Sequence, residues 1–128
     1  MSDNTLAVQK AIYSTLTTAL YPVKVYDSVP QGAAYPYVVI NNTEVMNADF
    51  LNSRKDERMV YLSIWSQYRG QKEVVEIMAD IDDALHRKAL TLESGTMVQS
   101  FVQNKHTSRE PDNLTFQGSV KLRIITQH

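Results

Sequence analysis

One amphipathic helix pattern, lying between two groups of strand patterns, restricts the fold more than any other feature of the sequence. Across residues 70–87 apolar side chains recur at helical spacing from Val74 to Leu85, and acidic side chains occupy the opposite side. Parallel strands need a crossover after nearly every strand, and this is the only helix pattern between strands. We therefore predict an α+β fold, with a mostly antiparallel sheet and two amphipathic helices packed on one of its faces.

The remaining periodic segments supply the first helix and the strands. A helix is predicted from about Thr5 to Leu20, because apolar residues recur there every three or four positions. Pro22 ends this run, since its ring disfavours a helical conformation in the preceding residue. Alternating or β-branched residues predict strands at 23–26, 37–46, 58–65, 89–92, 97–102 and 115–126.

Polar or turn-forming residues predict the connections between these elements. They lie at 27–34, 47–57, 93–96 and 107–113, and Gly118 predicts a bulge in the last strand. The apolar positions of the helices and strands predict one core. Its members are Val8, Ile12, Leu16, Val38, Ile40, Val60, Leu62, Ile64, Val74, Ile77, Ile81, Leu85, Val120, Leu122 and Ile124.

Composition excludes several classes of protein. The 128 residues are typical of one domain, which we expect to span residues 1–128. The absence of cysteine excludes disulfide scaffolds and cysteine-ligated metals. A net charge of −1 provides no field that attracts DNA or an anionic membrane. Without a signal peptide or a long apolar run, we expect a soluble intracellular chain with no membrane partner.

No residue pattern indicates catalysis, and we expect no catalytic residue, metal or cofactor. Asp82 and His86 lie four apart on the second helix, but two ligands without a third do not make a metal site. Asp80, Asp82 and Asp83 have the carboxylate oxygens that magnesium prefers, but we interpret them as a solvated helix face. His106 lies near Ser108, but no glycine-rich oxyanion hole accompanies this serine.

Nucleic-acid binding is also disfavoured. Arg54, Lys55 and Arg58 form a basic cluster, but Asp56 and Glu57 dilute it, so we interpret it as a solvated loop. Aromatic residues of strands pack against helices or subunits more often than they stack on bases. The aromatic residues concerned are Tyr35, Tyr37, Tyr61 and Trp65.

Six short motifs follow one another in an informative order. They are VYDSVPQGA (25–33), YPYVVI (35–40), LSIWS (62–66), ALH (84–86), REPD (109–112) and GSVKLR (118–123). Together with the opening amphipathic helix, this order resembles the tail-completion, or tail-terminator, proteins of long-tailed bacteriophages and gene-transfer particles. The resemblance covers nearly the whole chain, except that residues 42–57 match no motif of the family.

The resemblance implies a structural role in the virion. Family members close the head-proximal end of the tail tube as a ring, usually of six subunits, which ends tube polymerisation and joins the tail to the head. The implied partners are further copies of the chain, the tail tube protein and a head–tail connector protein. DNA would pass through the ring without specific binding, and assembly would take place in the host cytoplasm.

We expect contacts with other subunits or with the tail tube from two kinds of residue. Phe50 and Leu51 are adjacent apolar residues in a polar segment, which is typical of a hydrophobic anchor. Mixed charge sets the register of an interface, and it occurs at Arg54, Lys55, Arg58, Arg109 and Glu110. The sequence leaves two alternatives open. They are another neck protein, such as a head–tail connector adaptor, and a small enzyme or nucleic-acid-binding module.

Overall fold

A computed structural model describes residues 5–47, 55–87, 96–111 and 114–127 and shows two helices and five strands in this part of the chain. In chain order the elements are α1 (Thr5–Ala19), β1 (Lys24–Tyr26), β2 (Tyr37–Asn47), β3 (Lys55–Ser66), α2 (Lys72–Leu85), β4 (Thr96–Arg109) and β5 (Phe116–Gln127). The predicted α+β class is confirmed. No helix within these described residues is long and apolar enough to cross a membrane.

The five strands form one sheet in the order β1-β2-β3-β5-β4. Each neighbouring pair is antiparallel except β1 and β2, which are parallel. The connection between β1 and β2, residues 27–36, contains a turn in which Ala33 N donates to Pro30 O at 3.2 Å. Gly32 has a φ of 79° in this turn, a conformation that favours glycine.

Both helices pack on one face of the sheet and build the core there. Helix α1 lies beside β1 and α2, while α2 lies across β3, β5 and β4. All fifteen core residues predicted from the periodicity are buried. The spacing of apolar residues therefore identifies correctly which face of each element is covered.

Gly118 is required by the close approach of α2, and the prediction of a bulge at this residue is wrong. The glycine lies in regular register, with Ile64 on one side and Thr107 on the other. A Cβ atom at this position would lie 2.6 Å from Cγ1 of Val74 on α2. Irregularities of register occur instead at 40/42 in β2 and at 97/99 and 102/104 in β4.

Two strands are longer than the sequence predicts. Strand β3 begins at Lys55, so the last three residues of the predicted connection 47–57 are part of the sheet. Strand β4 continues to Arg109, so residues 107–109 are strand as well. In both cases polar residues extend the ladder because β5 pairs along its whole length with both neighbours. The strand predicted at 89–92 lies outside the described residues.

Candidate interaction surfaces

The face of the sheet opposite the helices carries an aromatic cluster at one end. The ring of Tyr37 lies 5.7 Å from that of Tyr26 and 5.2 Å from that of Tyr35. Trp65 is paired with Tyr37 across β2 and β3 and is half-buried. Burial, together with the neighbouring phenols of Tyr35 and Tyr26, raises the pKa of Tyr37. Aromatic residues partly exposed on a strand face are typical anchors of protein interfaces.

A polar trough of about 350 Å³ lies in the middle of this face. The buried Ser63 accepts hydrogen bonds through Oγ from the side-chain amides of Asn41 and Gln117, the latter at 3.3 Å. Asn42 and Asn104 contribute further amides to its lining. Hydroxyl groups of Ser119 and Tyr61 and the ammonium group of Lys121 also line the trough, so its polar groups can bind those of another protein surface.

Opposite charges balance one another towards the other end of the face. Glu57 accepts a hydrogen bond from Nη2 of Arg123 at 3.3 Å, and its other carboxylate oxygen forms an ion pair of 3.2 Å with Nε of the same residue. Tyr61 donates to the carboxylate of Glu44 at 3.0 Å, which raises the pKa of this tyrosine, and Lys121 Nζ lies 5.7 Å from the centre of its ring. A face with its charges balanced in this way does not attract the phosphates of nucleic acid.

The turn after α2 covers one part of the edge strand β4. Arg87 N donates to Ser100 O at 2.6 Å, and Val102 N donates to Nδ1 of His86 at 3.0 Å. The hydroxyl of Ser100 also donates to the carbonyl of Leu85. These backbone groups of β4 are two residues apart and point to the same side of the strand. The edge is therefore covered at 100–102.

Beyond residue 102, β4 remains the outer strand of the described sheet as far as Arg109. Lys105 binds α2 through an ion pair of 2.6 Å with Asp82, and the hydroxyl of Thr107 donates to Oε1 of Gln71 at 3.2 Å. These contacts fix the strand from the helix side. Its outward backbone edge lies at the margin of the molecule, where another strand can add.

Two of the residues considered for chemistry from the sequence, Asp82 and His86, have structural partners. Asp82 binds Lys105 and His86 binds the backbone of β4, so the pair four residues apart stabilises the fold. Among the described residues no group of three or more His, Asp or Glu side chains could hold a metal ion. His106 is exposed and Ser108 half-buried, two positions apart on β4.

The structure separates the two mixed-charge segments predicted to make contacts. Lys55 lies at the first residue of β3, whereas Arg109 pairs with Phe116, at the level of the last residue of β3. Arg109 is exposed, with its guanidinium 5.1 Å from the centre of the Phe116 ring, and Glu110 N donates to Thr115 O at 2.9 Å. Three of the predicted contact residues, Phe50, Leu51 and Arg54, lie outside the described residues.

Arg58 is buried, and the prediction that it lies in a solvated loop is wrong. Its side chain is 0% exposed and forms an ion pair of 3.6 Å with Asp56, which is 6% exposed. Both residues belong to the strand face that includes Val60 and Leu62, so the alternation of β3 directs them inward. Mixed charge at 55–58 indicated an exposed segment, and only the strand register shows that it enters the interior.

The face opposite the helices, which the described residues leave uncovered and which is called the uncovered face below, was not among the predicted contact sites. One signal for it was present in the sequence, because neither face of the strand pattern in β3 is strongly polar. The trough and the edge have no such signal. They depend on residues from β2, β4 and β5 that are distant in sequence and become neighbours only through the order of the strands.

One family model matches the chain, and one solved structure has a similar fold. Residues 7–127 match the family model described as tail completion protein gp17. The fold is similar to that of a chain in the virion of a native gene transfer agent particle, with a TM-score of 0.86 and 20% sequence identity. The alignment covers 100% of both chains. A search of curated protein sequences gives no match.

Proposed function

Because the chain belongs to the tail completion protein gp17 family, we propose that this structural tail protein closes the head-proximal end of a phage tail tube. In this proposal several copies, most simply six, form a ring. The ring ends polymerisation of the tube and forms the surface to which the head is joined. The chain acts by binding, without catalysis.

The observation that carries the proposal is that the described residues leave one face of the sheet and its margin at β4 uncovered. An aromatic cluster at Tyr37 and Trp65, a polar trough and balanced charges occupy the uncovered face, and β4 forms the margin. This composition of aromatic anchors with a polar surround is typical of protein interfaces. A net charge of −1 also limits repulsion when several copies meet.

A ring with one subunit contact repeated around an axis requires two different surfaces on each copy. The sheet provides them, because its two outer strands, β1 and β4, differ in length and surroundings. With β1 and β4 used for the contact between subunits, a third surface of each copy remains for binding the end of the tube. The uncovered face has the extent and chemistry for that contact.

Electron microscopy of the purified protein, alone and mixed with tail tubes, tests the proposal. We expect rings that bind one end of each tube and stop further growth when tube subunits are added. Tubes alone, which should continue to grow, are the control. Binding to the portal side of a connector without any effect on tubes would instead favour a head–tail connector adaptor. Protein that binds neither structure would contradict both roles.

A further inference from the structure

The two edge strands of the sheet, β1 and β4, overlap in position along the strand direction. Through the strand registers, Lys24 of β1 is level with Ser108 of β4, and Tyr26 is level with His106. The part of β4 covered by the turn after α2, residues 100–102, is level with β2 beyond the end of β1. Residues 106–108 of β4, outside the covered part, therefore stand at the level of β1.

The directions of the edge strands also match. Strand β1 is parallel to β2, and three antiparallel steps separate β2 from β4, so β1 and β4 run in opposite directions. A second copy displaced sideways across the strands, without inversion, therefore places its β1 antiparallel to β4 of the first copy. The helices of both copies then lie on the same face of the combined sheet.

This displacement brings α2 of one copy beside α1 of the next, and their charges are opposite. Helix α2 carries five acidic residues and one basic residue, whereas Lys10 is the only charged residue of α1. Helix α1 lies beside β1, and α2 reaches across to β4. Complementary charge between two different surfaces favours head-to-tail contact and disfavours contact of either surface with itself.

Exposed apolar residues occur on both of these helix surfaces. Val75, one turn from the Gln71 that binds β4, is 49% exposed. On α1, Leu6 and Tyr13 are 65% and 44% exposed and line a depression of about 300 Å³, to which Lys10 and Asp27 also contribute. A neighbouring α2 placed at this depression would cover apolar side chains of both copies.

From these relations we infer that copies of this chain join head to tail through the edges of their sheets. Residues 106–108 of β4 in one copy pair with β1 of the next, and the acidic α2 of the first copy packs beside α1 of the second. Backbone hydrogen bonds supply the attraction, and the helices set the register. The inference rests on the proposed ring and identifies its subunit contact.

Cysteine cross-linking tests this contact, because the chain contains no cysteine of its own. The variants Lys24→Cys and Ser108→Cys place one thiol on each edge strand. Met46→Cys is the matched control, since Met46 is 48% exposed and lies on β2 about 25 Å along the strand from the level of Lys24. Pairs of variants are mixed, assembled and mildly oxidised, and the products are separated without reductant.

We expect disulfide-linked dimers when Lys24→Cys is mixed with Ser108→Cys, and their loss when Met46→Cys replaces Lys24→Cys. The double variant should give a ladder of linked multimers. Linkage of Ser108→Cys to itself in place of Lys24→Cys would overturn the head-to-tail arrangement. Rings that cap tubes without the Lys24–Ser108 linkage would overturn the edge contact and leave the proposed function intact. Linked multimers that do not cap tubes would support the contact and contradict the function.

Discussion

Val102 donates its backbone N–H to Nδ1 of His86 at 3.0 Å, so the residue that ends α2 also covers the edge of β4. Arg87 adds a second hydrogen bond, to Ser100 O, at the same place. The bond to His86 requires an imidazole whose Nδ1 carries no proton. One short turn therefore joins the helix layer to the sheet and limits the length of edge available to another strand.

Replacing His86 with alanine should loosen this edge. Loss of the acceptor leaves Val102 N–H without its partner and should lower the free energy of unfolding by about 1 kcal/mol. Amide hydrogen exchange at Val102 should become faster, which NMR can measure residue by residue. His106→Ala, at an exposed position of the same strand, is the control and should leave exchange at Val102 unchanged. Equal exchange rates in both variants would contradict the role assigned to His86.

Gly118→Ala should destabilise the fold through contact with α2. The added Cβ would lie 2.6 Å from Cγ1 of Val74, and relieving this overlap should cost about 1–3 kcal/mol. Chemical denaturation followed by circular dichroism measures the change. The double variant Gly118→Ala/Val74→Ala removes the overlapping atom and should be less destabilised than the sum of the two single variants. Strict additivity would show that this contact is not the cause.

Arg58→Ala should be among the most damaging single substitutions in the described sheet. It leaves the carboxylate of Asp56 buried without its ion pair, which typically costs about 3–5 kcal/mol. Arg123→Ala is the control, because it breaks the ion pair with Glu57, in which the Arg123 side chain is 40% exposed. We expect this variant to lose less than about 1 kcal/mol in the free energy of unfolding. Similar melting temperatures for the two variants would contradict the burial of Arg58.

Tyr61 and Glu44 should show a pH-dependent coupling. The hydrogen bond to the carboxylate raises the pKa of Tyr61 above its ordinary value of 10.0. Since the raised pKa belongs to the folded state, the associated stability is present below pH 10 and is lost as pH rises through the folded-state value. Glu44→Gln should lower the pKa of Tyr61, measured by the difference in phenolate absorbance between variants with and without Tyr61→Phe. An unchanged pKa would contradict this pairing.

The sequence prediction for Phe50 and Leu51 concerns tube binding. As an apolar anchor for a partner, this pair should be needed for capping and dispensable for folding. The double variant Phe50→Ser/Leu51→Ser should therefore keep the melting temperature of the unaltered protein and lose binding to tubes in electron microscopy. Asn52→Ser, a polar replacement in the same segment, is the matched control. A double variant that caps tubes at the normal level would exclude the anchor.

The sequence by itself determined fifteen of the apolar residues that form the core and the kind of element that holds each of them. The core follows from the spacing of apolar residues, which is helical from Val8 to Leu16 and from Val74 to Leu85 and alternating around Leu62. This spacing shows which side of a helix or strand is apolar and therefore buried. The predominance of antiparallel pairing also follows from the sequence, since only one helix is available as a crossover. The spacing of apolar residues does not predict where a strand ends when polar residues continue its pairing, as they do at Lys55 of β3 and Arg109 of β4.

The tertiary structure alone decided the position of the interaction surfaces. Arg58 is buried because its place in β3 turns it toward the core side, and Gly118 is needed because α2 crosses there. Lys24 and Ser108 lie at the same level along the strands because of the registers of four strand pairs. No local sequence pattern predicts these registers. These surfaces form where strands distant in sequence pair with one another, and this pairing depends on the order of the strands in the sheet.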